Sequence, residues 1–173
     1  PAPLGAAAVR GALENSGLTP DDIDAAFLGC VLPAGPGQAP ARQAALGAGL
    51  PQDVGCTTIN KMCGSGMQAA MLAHDNILAG SHDIMIAGGM ESMTNAPYLL
   101  QRARNGYRLG DGDVVKDHMF LDGLEDAYQE GRLMGTFAED TAEHYQFTRE
   151  AQDEFAITSL TRAKTAVEDG TFA

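Results

Sequence analysis

The chain has 173 residues, 45% of them apolar, which is enough for one ordinary core. No apolar run approaches the ~20 residues of a membrane-spanning helix, because Gly, Asp, His or Asn interrupts each candidate, so a soluble protein is expected. Eleven Lys+Arg against 23 Asp+Glu give a formal net charge of −12, which repels nucleic acid and anionic membrane surfaces.

Cys30, Cys56 and Cys63 are odd in number and lack metal-ligand spacing, which argues against a disulfide framework or a zinc site. Reduced thiols in the cytoplasm are the simplest account. The opening PAPLGAAAVRGALE has no basic start followed by an apolar core, so no secretory signal is expected.

In chain order, residues 3–16 predict a helix: Pro3 suits a first turn, Leu4, Ala8, Val9, Ala12 and Leu13 share a face, and Asn15-Ser16-Gly17 supplies stop chemistry. AAFLGCVL, 25–32, reads as a strand, followed by a Gly/Pro-rich loop at 33–40 and an Ala-rich helix near 41–48. TTINKM, 57–62, predicts a second strand. From Gly64 to Leu78, Met67, Ala70, Met71, His74, Ile77 and Leu78 recur at helical spacing, and DIMIAGG, 83–89, reads as a short buried strand. Strands alternating with helices predict an α/β fold with a parallel sheet.

The pattern collapses between Met93 and Phe147, a span read as an inserted loop subdomain. Thr148 then caps a helix whose Phe155, Ser159, Ala163 and Ala166 should cover the sheet again. The expected organisation is 1–92, an α/β domain; 93–147, the insertion; and 148–173, a returning helix. A three-stranded parallel sheet with two open edges, in a chain starting and stopping at helix ends, reads as a piece of a longer protein.

Cys63, in INKMCGSGMQAA, falls at a strand-to-helix junction. Its backbone N–H lies outside the helical ladder, and the positive end of a helix favours an anionic sulfur or an oxyanion on an attacked carbonyl. Gly64 and Gly66 leave room for a substrate to approach. Pattern alone supports equally a buried structural thiol, the usual fate of a free cysteine. Cys30 and Cys56 read as structural. His74 falls on the helical stripe as a core residue, whereas His82, His118 and His144 read as surface groups, so no base for Cys63 is visible. QRARNGYRLG, 101–110, holds Arg102, Arg104 and Arg108 without an acid, a positive island suited to phosphate, to an acidic oligomer partner, or simply to solvent.

INKMCGSGMQA, IAGGMESMTNAPY, DGLEDAYQEGRLMGTFAED and FTREAQDEFA together resemble the N-terminal half of a thiolase of the acetyl-CoA acetyltransferase type. The resemblance covers nearly the whole chain in the family's order. It implies a thiolase-like layered fold with an incomplete N-terminal domain and an inserted loop subdomain, its first strand preceding Pro1. It also implies condensation of two acetyl-CoA to acetoacetyl-CoA and CoA, or the reverse thiolysis. Cys63 matches the family's acyl-accepting nucleophile, and Leu124 and Met134 match positions lining the pantetheine and acyl region. No cofactor beyond coenzyme A as part of substrate and product, no metal, and a homo-oligomer, dimer or tetramer, are implied.

The family's activating histidine, its second cysteine, its water-orienting asparagine and its CoA-binding loops belong to the second half. The 173 residues alone are therefore expected to be inactive and not independently stable. Leu133 stands where many biosynthetic members carry a histidine before the loop methionine, which removes a polar group from the acyl end and leaves longer 3-ketoacyl-CoA substrates open. A non-catalytic CoA-ester binder on the same scaffold is the rival reading, and the retained thiol speaks against it. A redox role for the cysteines is weaker still.

Overall fold

The computed structural model describes residues 1–110, 112 and 115–171. They form two compact units, Pro1–Leu124 and Glu125–Ala173.

In the first unit, α1 (Ala2–Ser16) ends as its sequence requires: Gly17 takes φ 72° and returns its N–H to the Leu13 carbonyl. A short 3-10 turn leads into β1 (Ala25–Gly29), then α2 (Pro40–Gly47), β2 (Gly55–Ile59), α3 (Ser65–Leu78) and β3 (Met85–Gly89). The three strands are parallel in the order β2-β1-β3. The expected α/β alternation is therefore present, and β1 itself occupies the middle, with Gly29 level with both Ile59 and Gly89 at the carboxyl edge.

Strand alternation gives β1 two different faces. Ala26 and Leu28 join Ala6, Val9 and Leu13 of α1 and Ala41, Ala44 and Ala45 of α2 in the main core. The alanines let these helices approach closely: a Cβ on Gly47 would lie 3.2 Å from that of Ala6. Gly29 points the other way, onto α3, so helices lie on both faces of the sheet.

The packing of α3 corrects the expected stripe. Ser65, Ala69 and Ala73 are the buried residues of this helix. Met67 is 74% and Leu78 73% exposed within this chain, and Met71, Ile77 and His74 are exposed as well. The cause is the surface beneath. At Gly29 the sheet lies so close that small side chains alone fit: a Cβ there would sit 2.6 Å from Ser65 Cβ, and a Cβ on Gly66 would sit 3.9 Å from the Gly88 backbone.

Two further expectations change. TTINKM is not all strand, because β2 ends at Ile59 and Asn60 begins a turn whose Oδ1 accepts the Met62 N–H at 3.0 Å. His118 is not a surface group: it is 3% exposed. It follows the short antiparallel pair β4 (Tyr98–Leu99) and β5 (Lys116–Asp117), and its N–H donates to the Pro97 carbonyl. Its Nε2 accepts the Ala34 N–H at 3.3 Å, which places the ring proton on Nδ1, 2.6 Å from Asp122 Oδ2. His118 thereby ties the loop after β1 to a π-helical turn, Phe120–Leu124. In the arginine-rich segment, Ala103–Asn105 forms a 3-10 turn and the Arg102 guanidinium lies 5.9 Å from the Tyr107 ring centre.

The second unit contains α4 (Met134–His144), within the span read as irregular, and α5 (Arg149–Glu168). Thr148 caps α5 as expected, its hydroxyl accepting the Ala151 N–H at 3.1 Å. Along α5 itself no residue is fully buried, and Phe155, Ile157, Leu160 and Val167 are exposed. In the same unit Arg132 pairs with Asp140 and lies 3.7 Å above the Phe137 ring. Among the described residues no helix is long and apolar enough to cross a membrane, and no group of three His, Cys, Asp or Glu side chains converges as metal ligands.

Candidate active site

In a parallel sheet the crevice outside the carboxyl ends of the strands is the natural place for a ligand. Here that crevice is a cavity of about 330 Å3. Gly29 reaches it from the end of β1 and Val31 from the loop after it, Met62 and Cys63 from the turn after β2, Ser65 and Gly66 from the start of α3, and Gly89, Met90 and Glu91 from the end of β3 and just beyond it. Cys63 is exposed, whereas Cys30 is buried and Cys56 half-buried. The alternative of a buried structural thiol does not describe Cys63.

The turn that presents Cys63 is tightly held. Met62 adopts φ +48°, a left-handed conformation that costs a non-glycine residue of order 1–3 kcal/mol. The buried Ser65 hydroxyl compensates from below, accepting the Lys61 N–H at 2.9 Å and donating to the Met62 carbonyl at 2.6 Å. Cys63 directly precedes the helix cap Gly64, so its own N–H lies outside the intrahelical ladder, at the positive end of α3. Ser65→Ala removes both hydroxyl bonds and leaves the Lys61 N–H without its acceptor; a loss of about 1–3 kcal/mol is expected in urea unfolding of the intact protein.

Glu91 is the main residue that sequence reading passed over. Its Oε2 accepts the Val31 N–H at 2.7 Å, its Oε1 accepts the Leu32 N–H at 3.1 Å, and the Cys30 thiol donates to the same Oε1 at 3.6 Å. Burial pushes the Cys30 thiol up from its ordinary range, and the charge and hydrogen bond of Glu91 push it further. Burial raises Cys56 as well, against the opposing Arg42.

Both thiols thus hold their protons more tightly folded than unfolded, so their contribution to stability is full below the ordinary value of about 8.5 and is lost as pH rises through the folded values. Thermal melting followed from pH 7 upward should show a decline beginning near that point. Cys30→Ala should shallow the decline, and an unchanged slope would count against this account.

Leu124 belongs to the first unit, at the end of the π-helical turn, half-buried. Leu133 and Met134 adjoin each other in the second unit, as the residue before α4 and its first residue, and both are exposed. The cavity at Cys63 is lined by first-unit residues throughout.

A layered parallel α/β protein, with an exposed thiol where three strand ends meet a helix N-terminus, is the class that fold and site define. The chain belongs to the thiolase family: the thiolase N-terminal domain matches residues 1–173. It is 50% identical over 173 residues to an acetyl-CoA acetyltransferase of Cupriavidus necator, covering 99% of this chain and 44% of that protein. It is 49% identical over 169 residues to the cytosolic acetyl-CoA acetyltransferase of Gibberella zeae, covering 98% and 42%, and 48% identical to the mitochondrial acetyl-CoA acetyltransferase of Bos taurus, covering 98% and 39%. The chain spans about two fifths of the length of these relatives.

Proposed function

We propose that the protein is an acetyl-CoA acetyltransferase in which Cys63 is the acyl acceptor. The observation that carries this reading is the placement of an exposed thiol beside glycine-lined strand ends and a helix N-terminus, in a chain of this family. The Cys63 sulfur, as thiolate, attacks the acetyl carbonyl of one acetyl-CoA; the carbon–sulfur bond to CoA breaks and CoA leaves as a thiolate that takes up a proton. A second acetyl-CoA gives up a methyl proton to a base, and its enolate carbon attacks the Cys63 thioester; the bond from the Cys63 sulfur to the acetyl carbon breaks, forming acetoacetyl-CoA and returning the thiolate. The Cys63 N–H supplies one donor to the oxyanion of each tetrahedral intermediate. The base that activates the thiol belongs to the family's second half.

Leu124, Leu133 and Met134 are assigned to the pantetheine and acyl region. Leu133 supports a second reading, a 3-ketoacyl-CoA thiolase of broader chain length, because an apolar side chain there tolerates a longer acyl group. A homo-oligomer, dimer or tetramer, and a reducing cytoplasmic compartment complete the proposal; relatives carry both cytosolic and mitochondrial names.

The direct test mixes intact protein with acetyl-CoA and maps the product by mass spectrometry, where acetyl replacing a proton adds about 42 Da to the Cys63 peptide. A fully modifiable protein with no such adduct sinks the reading. Comparing thiolysis of acetoacetyl-CoA and of a medium-chain 3-ketoacyl-CoA separates the two substrate ranges, and a large acetoacetyl preference removes the broader one.

A further inference from the structure

The Glu91 carboxylate receives three donors, two successive backbone N–H groups and a thiol, from residues 30–32. No neutral side chain of this length has that acceptor capacity, since glutamine would turn an NH2 toward one of the N–H groups. What Glu91 holds leads onward. Val31, fixed through its N–H, gives its carbonyl to Asn60 Nδ2 at 3.5 Å, and Asn60 Oδ1 accepts the Met62 N–H at 3.0 Å. Met62 is the left-handed residue immediately before Cys63. One polar path thus runs across the carboxyl ends of all three strands, from β3 through β1 to β2, and ends at the turn carrying the thiol.

We propose that Glu91 is a positioning residue for Cys63, acting through Val31 and Asn60 rather than by touching the reacting atoms. The carboxylate sets where the end of β1 sits; Asn60 transmits that position to the backbone of Met62; and the turn aims the sulfur into the cavity. Both ends of the path line the cavity, so a shift at Glu91 is felt at the wall and at the nucleophile together. The inference rests on the reading of Cys63 as acyl acceptor, and its test has an arm that does not.

In the intact protein, Glu91→Gln, Glu91→Asp, Asn60→Ala and the Glu91→Gln/Asn60→Ala double variant are compared with wild type. The limiting rate of Cys63 acetylation by acetyl-CoA and its half-saturating concentration are read in single turnover, alongside the rate of Cys63 alkylation by iodoacetamide. Glu91→Gln is expected to lower the limiting rate about 10- to 100-fold with half-saturation little changed, the signature of misaimed reacting atoms. Aspartate, which keeps the charge and the acceptors, recovers part of the loss. Because the two residues share one path, the double variant should be no slower than the more severe single variant within about threefold.

Wild-type rates in Glu91→Gln with a lowered melting temperature alone would overturn the proposal, and so would effects that multiply in the double variant. If Glu91→Gln does not fold, the exposed Asn60→Ala decides: a wild-type acetylation rate there refutes the path. If wild-type protein itself forms no acetyl adduct, the acyltransferase reading has failed. Alkylation then decides the positioning, which predicts a several-fold slowing in both single variants and falls if the rates are equal.

Discussion

If Cys63 is the acyl acceptor as proposed, replacing it by alanine should abolish the acetyl adduct and lower thiolase turnover by at least about 10³-fold, because the proposed route passes through its thioester. Stability should hardly move. The thiol is exposed and contributes no packing, and substitutions of that kind stay within about 0.5 kcal/mol. Urea unfolding of wild type and variant should therefore superimpose while the adduct disappears. Residual acetylation at Cys30 or Cys56 in the variant would show that the site had been misassigned, since burial raises both of those thiols.

The second large effect is expected at a residue with no reactive group. A Cβ on Gly29 would meet Ser65 Cβ at 2.6 Å, the Ser65 carbonyl carbon at 3.2 Å and the Gly66 nitrogen at 3.3 Å. Two of those three atoms are backbone, so no rotamer change relieves the contact. Nor can the strand yield, because the Gly29 carbonyl accepts the Met90 N–H at 2.9 Å and Gly29 lies between Ile59 and Gly89 in the sheet. The start of α3 must move instead, taking Cys63 with it. Gly29→Ala should cost about 1–3 kcal/mol in unfolding and lower the acetylation rate about 10²-fold, the usual consequence of a displacement near 1 Å. Gly55, at the other end of the neighbouring strand, has open space around its Cβ position, and Gly55→Ala is the control expected to leave the acetylation rate unchanged.

The alternation of strands and helices was legible because local patterning and tertiary packing agree there, and the Gly17 and Thr148 helix ends were legible because capping chemistry is local. The burial of α3 was not. Hydrophobicity points to Met67, Met71, Ile77 and Leu78, whereas the glycine-lined sheet admits Ser65, Ala69 and Ala73, and the close approach that decides between them is set by residues on other strands. Glu91 and His118 were hidden for a related reason. Their partners lie 59–61 and 84 positions away in the chain for the backbone and thiol donors of Glu91 and for Ala34, and nothing within a local window predicts such bonds. Cys63 could be placed at a strand-to-helix junction, but its exposure, which separates a presented thiol from a packed one, required the fold.

Met62 carries a consequence of another kind. Glycine would adopt its φ of +48° without penalty, so Met62→Gly removes local strain, yet it also widens the range of backbone conformations open to the residue next to the thiol. Relief of strain and loss of aim then come from the same substitution. A methionine held there by Asn60 and Ser65 has few alternatives to relax into, so a strained backbone torsion keeps the sulfur in one direction, and a variant with a more relaxed turn should aim the thiol less accurately.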